Sequence, residues 1–92
     1  MRLVVYSRDG CGLCAELIEE LAPLLAGQGL EFTVADVDRD ATLKRRYGLR
    51  VPVLTLDGEW LCNGRLDRAA LERGLLAAKA AAASGDGAAR LL

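Results

Sequence analysis

Two cysteines separated by two residues are the part of this sequence best suited to chemistry. Cys11 and Cys14 lie in the stretch YSRDGCGLCAEL, directly after a short apolar run and at the start of a helical pattern. A Cys-x-x-Cys pair can exchange with disulfides, bind zinc or an iron-sulfur cluster, or form a structural crosslink. Thiol-disulfide exchange needs an accessible thiolate and a second sulfur close enough to displace it.

The position of the pair at a helix start distinguishes the two sulfurs. Residues i and i+3 of a helix share a face, so Cys11 and Cys14 are close enough to bridge. Cys11 is at the helix N-terminus, where free amide groups and the helix dipole favour an anion, whereas Cys14 is one turn nearer the core. We therefore predict that Cys11 is the nucleophile and Cys14 the resolving thiol. Arg8 adds positive potential before the pair, and Asp9 opposes it.

Metal binding is the main alternative for this pair. A structural zinc site takes four ligands, whereas the chain has three cysteines and no histidine, so a site within one chain would need a carboxylate such as Asp9 or Asp67. We favour redox chemistry and predict no metal, because a Cys-x-x-Cys that opens the helix of a leading βαβ unit is typical of thioredoxin-like redox proteins. The alternative function is a binding module without turnover, or a zinc or iron-sulfur carrier that uses Cys11 across a dimer.

The composition is that of one small soluble domain. Of its 92 residues 52% are hydrophobic and 27% charged, with a net charge of -1. We expect no nucleic-acid partner at this charge balance, and no membrane partner because no apolar run approaches the roughly 20 residues that span a bilayer. We predict a cytoplasmic monomer whose thiols are reduced.

The hydrophobic pattern predicts seven elements in the order β-α-β-α-β-β-α, which form an α/β fold with a four-stranded mixed sheet and helices on both faces. Pro23 either kinks the first helix or ends it early. The second helix has Asp38 or Asp40 as its N-cap, and Asp67 caps the third. The predicted segments are strands at 3–6, 30–38, 53–56 and 59–63, helices at 11–26, 39–48 and 67–83, a domain at 1–83 and a flexible tail at 84–92.

The element order, the stretch YSRDGCGLC after the first strand and the stretch YGLRVPVLTLDGEWLCNGRLD after the second helix resemble the glutaredoxin-like branch of the thioredoxin superfamily. The resemblance covers about residues 2–80 and is greatest to small bacterial glutaredoxin-like proteins. It implies a thioredoxin-like fold and a thiol-disulfide oxidoreductase that reduces protein disulfides or glutathionylated proteins through Cys11 and Cys14. It also implies no bound cofactor, with glutathione or a thioredoxin-reductase-type donor as reductant. Arg8 matches the basic residue that glutaredoxins often carry before the first cysteine.

The same resemblance implies further substrate-binding residues beside the cysteines. Val51 and Pro52 match the segment that contains a cis-proline next to the disulfide and offers its backbone to a bound thiol peptide. From the residues alone, Pro52 is the ordinary proline at the start of a strand. Asn63, Gly64 and Asp67 match the region that receives the γ-glutamyl end of glutathione in glutaredoxins, with Asn63 in place of the first glycine.

Two other features have two interpretations each. Cys62 lies on the second hairpin strand, where alternation predicts that it shares a face with Trp60. It is either a small buried hydrophobe or a third redox thiol. The basic run KRRYGLR at residues 44–50 is either a solvated helix face or a site for a glutathione carboxylate or an acidic partner.

Overall fold

Within residues 1–91, strands and helices follow the predicted order β-α-β-α-β-β-α. The computed structural model describes the backbone of these residues and the side chains of residues 1–82. In chain order the elements are β1 (Leu3–Ser7), α1 (Gly12–Ala26), β2 (Phe32–Asp36), α2 (Ala41–Tyr47), β3 (Val53–Leu56), β4 (Glu59–Asn63) and α3 (Arg68–Leu91).

The strands form one mixed sheet in the order β2-β1-β3-β4. β1 and β2 are parallel because α1 crosses over between them, whereas β3 is antiparallel to both of its neighbours. Tyr6 pairs with Val53, so the C-terminal end of β1 and the N-terminal end of β3 lie at the same end of the sheet. The predicted α/β fold with a four-stranded mixed sheet is confirmed.

The two faces of the sheet bury separate clusters. The larger cluster packs one face of the sheet against α1 and α3. The smaller cluster packs the opposite face against α2. Helices therefore cover both faces, as predicted. The larger cluster consists of Leu3, Val5, Leu17, Leu21, Leu25, Leu54, Leu56, Cys62, Leu71 and Leu75, and the smaller one of Val37, Tyr47 and Val53.

Pro23 lies inside α1, which continues to Ala26. The alternative in which the helix ends early is therefore wrong. A proline inside a helix removes one hydrogen bond and costs about 3 kcal/mol or more. Leu21 and Leu25, on either side of Pro23, are both fully buried against the sheet, and their packing offsets that loss.

β2 ends earlier than its hydrophobic pattern suggests. The strand predicted at 30–38 stops at Asp36, and Val37–Arg39 forms a 3₁₀ turn. The carboxylate of Asp36 accepts a hydrogen bond from the Asp38 backbone N–H at 2.9 Å, which closes this turn. The side chain of Asp40 accepts two backbone hydrogen bonds from the first turn of α2, so Asp40 and not Asp38 is its N-cap.

The hairpin strands β3 and β4 have their predicted bounds, but a β-bulge shifts their register. Leu54 pairs with Cys62, while Thr55 pairs with Trp60. The extra residue in β4 interrupts the alternation of its side chains. Cys62 therefore packs in the larger cluster with Leu54, on the face opposite Trp60 and Thr55. The prediction that Cys62 and Trp60 share a face is wrong.

The last helix, α3, runs from Arg68 to Leu91. In the part of the chain that the structure describes, no helix has an apolar stretch long enough to cross a lipid bilayer. The predicted flexible tail at 84–92 lies outside the residues whose side chains are described, and Leu92 lies outside the described residues altogether. The domain boundary at residue 83 therefore stays a prediction.

Candidate active site

Cys11 and Cys14 form a disulfide at the start of α1. Their Cα atoms are 5.2 Å apart, within the usual range for bridged cysteines. Cys11 is the N-cap, and its carbonyl accepts the first helical hydrogen bond from the Ala15 N–H at 3.2 Å. Its Sγ atom also accepts from the backbone N–H of Cys14 at 3.1 Å. The two sulfurs are therefore held together by the geometry of one helical turn.

The two cysteines differ in exposure as predicted. Cys14 is buried with 2% of its surface exposed, whereas Cys11 is partly exposed at the mouth of a shallow depression. The turn that produces this arrangement passes through Gly10, whose φ of 76° lies in the left-handed region that favours glycine. Of the two sulfur-bearing residues, Cys11 is therefore the one open to solvent, while Cys14 is covered.

Arg8 links the loop that carries Cys11 to two other segments. Its Nη2 and Nε atoms donate to the carboxylate of Asp38 at 2.8 and 3.1 Å, and its Nη1 atom donates to the Gly48 carbonyl at 2.9 Å. The hydrogen bonds from Arg8 hold the pKa of Asp38 below its usual value, and desolvation opposes this shift. Arg8 thus fixes the turn before Cys11 against the 3₁₀ turn and the end of α2. Its binding of substrate stays a prediction.

The peptide bond between Val51 and Pro52 is cis, as the resemblance implies. Pro52 is fully buried and immediately precedes Val53, the partner of Tyr6. Continuing the antiparallel register places Pro52 opposite Ser7, the last residue of β1. The proline segment, which leads into β3, and the disulfide loop, which follows β1, therefore lie at the same end of the sheet.

The last residue of β4 and the glycine after it hydrogen-bond to this proline segment. The Gly64 N–H donates to the Pro52 carbonyl at 2.9 Å, and the Asn63 side chain donates to the Arg50 carbonyl at 3.4 Å. The carboxylate of Asp67 accepts from the Ala70 N–H at 3.0 Å and caps α3, as predicted. Asn63 and Gly64 thus position the residues around Pro52. Their predicted contacts with glutathione, and that of Asp67, stay predictions.

The contact of Arg8 with Asp38 and Gly48 is the part of the site that sequence reasoning missed. The sequence suggests for Asp38 only the role of a helix cap. The one sequence signal is a basic residue beside the cysteines together with an acidic one after β2, thirty residues away. Among the described residues, no three histidine, cysteine, aspartate or glutamate side chains cluster as they would around a metal ion.

Cys62, the remaining cysteine, is buried with 8% of its surface exposed. Burial raises the pKa of its thiol, and a hydrogen bond with the Asp67 backbone opposes this shift. A thiol with a raised pKa and little access to solvent is a poor nucleophile. The structure therefore favours the interpretation of Cys62 as a small hydrophobe of the core.

We expect Cys62 to resist alkylation in the folded protein. With the Cys11–Cys14 disulfide intact, iodoacetamide at neutral pH should add no group to the native chain, one group in concentrated urea, and three groups in urea after reduction. Mass spectrometry counts the groups. Labelling of native Cys62 at nearly the rate measured in urea would contradict its burial.

Comparisons with known proteins agree with this architecture. The sequence model of the family described as "Glutaredoxin-like domain (DUF836)" matches residues 2–76. An uncharacterized protein of Mycobacterium tuberculosis is 37% identical over 59 residues, which are 59% of this chain and 61% of that protein. The chain thus spans about three fifths of the length of the curated relatives it matches.

Two solved structures are similar over most of their length. The solution structure of protein Ne2328 from Nitrosomonas europaea is 38% identical with a TM-score of 0.70, and the match covers 78% of this chain and 87% of that one. The X-ray structure of target protein XcR50 from X. campestris is 36% identical with a TM-score of 0.64, and the match covers 82% of this chain and 96% of that one.

Proposed function

We propose that this chain, which belongs to the glutaredoxin-like domain family (DUF836), is a thiol-disulfide oxidoreductase that reduces protein disulfides or glutathionylated proteins through Cys11 and Cys14. One observation carries the proposal: the two sulfurs are bonded at the start of α1, one of them accessible and the other buried. A purely structural crosslink between residues three apart constrains little of the fold, because it closes a very short loop.

The proposed reaction begins with the reduced pair. The Cys11 thiolate attacks one sulfur of a substrate disulfide, which forms a mixed disulfide and releases the other substrate sulfur as a thiolate that takes up a proton. The Cys14 thiolate then attacks Sγ of Cys11, which forms the Cys11–Cys14 bond and releases the second substrate thiol. Two electrons pass from the protein to the substrate. Glutathione, or a dithiol donor of the thioredoxin-reductase type, returns two electrons and restores the pair.

The start of α1 favours the thiolate of Cys11. The Cys14 N–H that donates to Sγ of Cys11 at 3.1 Å would stabilise negative charge on this sulfur after reduction. The positive end of the α1 dipole acts in the same direction. The Arg8 guanidinium contributes less than its charge suggests, because Asp38 pairs with it at 2.8 Å.

The residues around the cis bond would bind the substrate chain. Val51 precedes Pro52 at the end of the sheet where the disulfide loop begins. Its backbone would pair with an extended segment beside the substrate sulfur. Gly64 and Asn63 hold this segment in place through Pro52 and Arg50. A monomer, a cytoplasmic location and the absence of a bound cofactor stay predictions.

Replacing Cys14 with serine tests the order of the two steps. We expect Cys14→Ser to accumulate a covalent adduct on Cys11 when the reduced protein is mixed with a disulfide-closed peptide, because the resolving thiol is missing. Acid quenching followed by peptide mass spectrometry locates the adduct. The wild type should instead become oxidised at Cys11–Cys14 with little adduct.

A Cys14→Ser/Cys62→Ala variant is the matched control, and it should form the same adduct if Cys62 takes no part. An adduct on Cys62, or none on Cys11, would contradict the proposed roles.

A further inference from the structure

Positive charge is concentrated next to the candidate active site, although the chain as a whole has a net charge of -1. Residues 41–56 contain Lys44, Arg45, Arg46 and Arg50 and no acidic residue, whereas residues 12–26 contain three glutamates and no basic residue. Lys44 lies 4.0 Å from the carboxylate of Asp38. In the part of the chain with described side chains, the three arginines form no salt bridge.

Leu49 lies between Arg46 and Arg50 in the chain and is completely exposed, at 101%. It follows Gly48, whose carbonyl accepts a hydrogen bond from the side chain of Arg8 in the disulfide loop. Leu13, between the two cysteines, is the second exposed leucine at this end of the molecule. We call Arg45, Arg46, Leu49 and Arg50 the basic loop surface. It combines positive charge that no carboxylate neutralises among the described side chains with an apolar side chain that is fully exposed.

We propose that the basic loop surface binds an acidic polypeptide segment that presents an apolar side chain beside its disulfide, so that acidic protein disulfides are the preferred substrates. This inference rests on the proposed oxidoreductase function and specifies its substrate class. The guanidinium of Arg46 lies over the Tyr47 ring at 5.8 Å, and none of the three arginines is neutralised by a carboxylate among the described side chains. The arginines match the carboxylates of a partner in charge and geometry, and Leu49 gains from burial against an apolar residue. A nucleic acid fits less well, because it offers the neighbouring cysteine pair no sulfur.

The charges on the other side of the cysteines fix the orientation of the partner. Asp9 in the disulfide loop and Glu16 in α1 are exposed and would repel acidic residues. The acidic part of the substrate therefore lies over α2 and the loop that follows it. Apolar residues on the other side of the substrate disulfide then face Leu13.

The test compares two disulfide-closed peptides that share a leucine and differ only in having aspartates or lysines around it. When the reduced protein is mixed with each peptide for a single turnover, we expect the second-order rate constant for the acidic peptide to exceed that for the basic one by about tenfold at low salt. The difference should largely disappear near 0.5 M salt, because the screening length then falls to a few ångströms. Oxidised glutathione, a small anionic disulfide, is measured in parallel.

Two variants separate the charge from the apolar contact. We expect Arg45→Gln/Arg46→Gln to lower the ratio of the rate constants for the acidic and the basic peptide about fivefold. We expect Leu49→Ser to lower the rate constants for both peptides about threefold. The matched controls are Arg73→Gln/Lys79→Gln and Leu76→Ser, which change exposed residues of α3 and should leave the rates unchanged.

Equal rates for the two peptides at low salt would overturn the inference but not the proposed function. An arginine effect confined to oxidised glutathione would overturn it as well. If the wild type reduced none of the three disulfides, the oxidoreductase function itself would be rejected.

Discussion

Cys11→Ser is expected to lower the rate of disulfide reduction by at least about a thousandfold, because a serine hydroxyl cannot replace the attacking thiolate. The substitution should leave the fold intact. Cys11 is the N-cap of α1, and serine is among the residues preferred at that position, so the helix keeps its first hydrogen bonds. Reduction of a disulfide-closed peptide by the prereduced protein, followed by thiol titration, measures the effect.

The matched controls for this prediction are the other two cysteines. Cys14→Ser should still take the first step and stop at the adduct, and Cys62→Ala should reduce the peptide at the wild-type rate because that thiol is buried in the core. If Cys11→Ser reduced the peptide normally while Cys14→Ser did not react, the roles of the two sulfurs would be reversed. Normal rates in both variants would exclude the pair from the chemistry.

Leu21→Ala is expected to lower the free energy of unfolding by about 2–5 kcal/mol, a large fraction of the roughly 5–15 kcal/mol typical of a domain. Leu21 has no exposed surface and packs in the larger cluster between α1 and the sheet. Its loss removes buried apolar area and leaves a cavity. Urea unfolding of the oxidised protein, followed by circular dichroism, gives the difference.

Leu76→Ala is the matched control for the core substitution. Leu76 also lies inside a helix, so the change in helix propensity is the same, but 68% of its surface is exposed. We expect its effect to stay within about 0.5 kcal/mol. A similar loss in both variants would show that burial against the sheet does not account for the stability of α1.

Local signals in the sequence were enough for the cysteine pair and for the order of the elements. Their spacing and the helical pattern that follows place Cys11 and Cys14 on the same face of the first turn of α1. The cis bond before Pro52 was predicted only through the resemblance to glutaredoxins, because a Val-Pro pair at a strand start reads as an ordinary trans proline.

Pairing between distant segments decided what the sequence left open or suggested wrongly. Alternation placed Cys62 beside Trp60, whereas a bulge opposite Leu54 and Thr55 moved it to the other face. The fold also brings Asp38 and the Gly48 carbonyl to the guanidinium of Arg8, a contact that no local pattern predicts.

By itself, the sequence determined which atoms can react, because a reactive pair three residues apart depends only on local helix geometry. The tertiary structure alone decided what surrounds that pair: the proline segment held by Gly64, the paired charge of Arg8 and the exposed Leu49. Each of these depends on strand register and on contacts between residues far apart in the chain. Such contacts form only when the packing of the whole domain brings the residues together, so no local pattern encodes them.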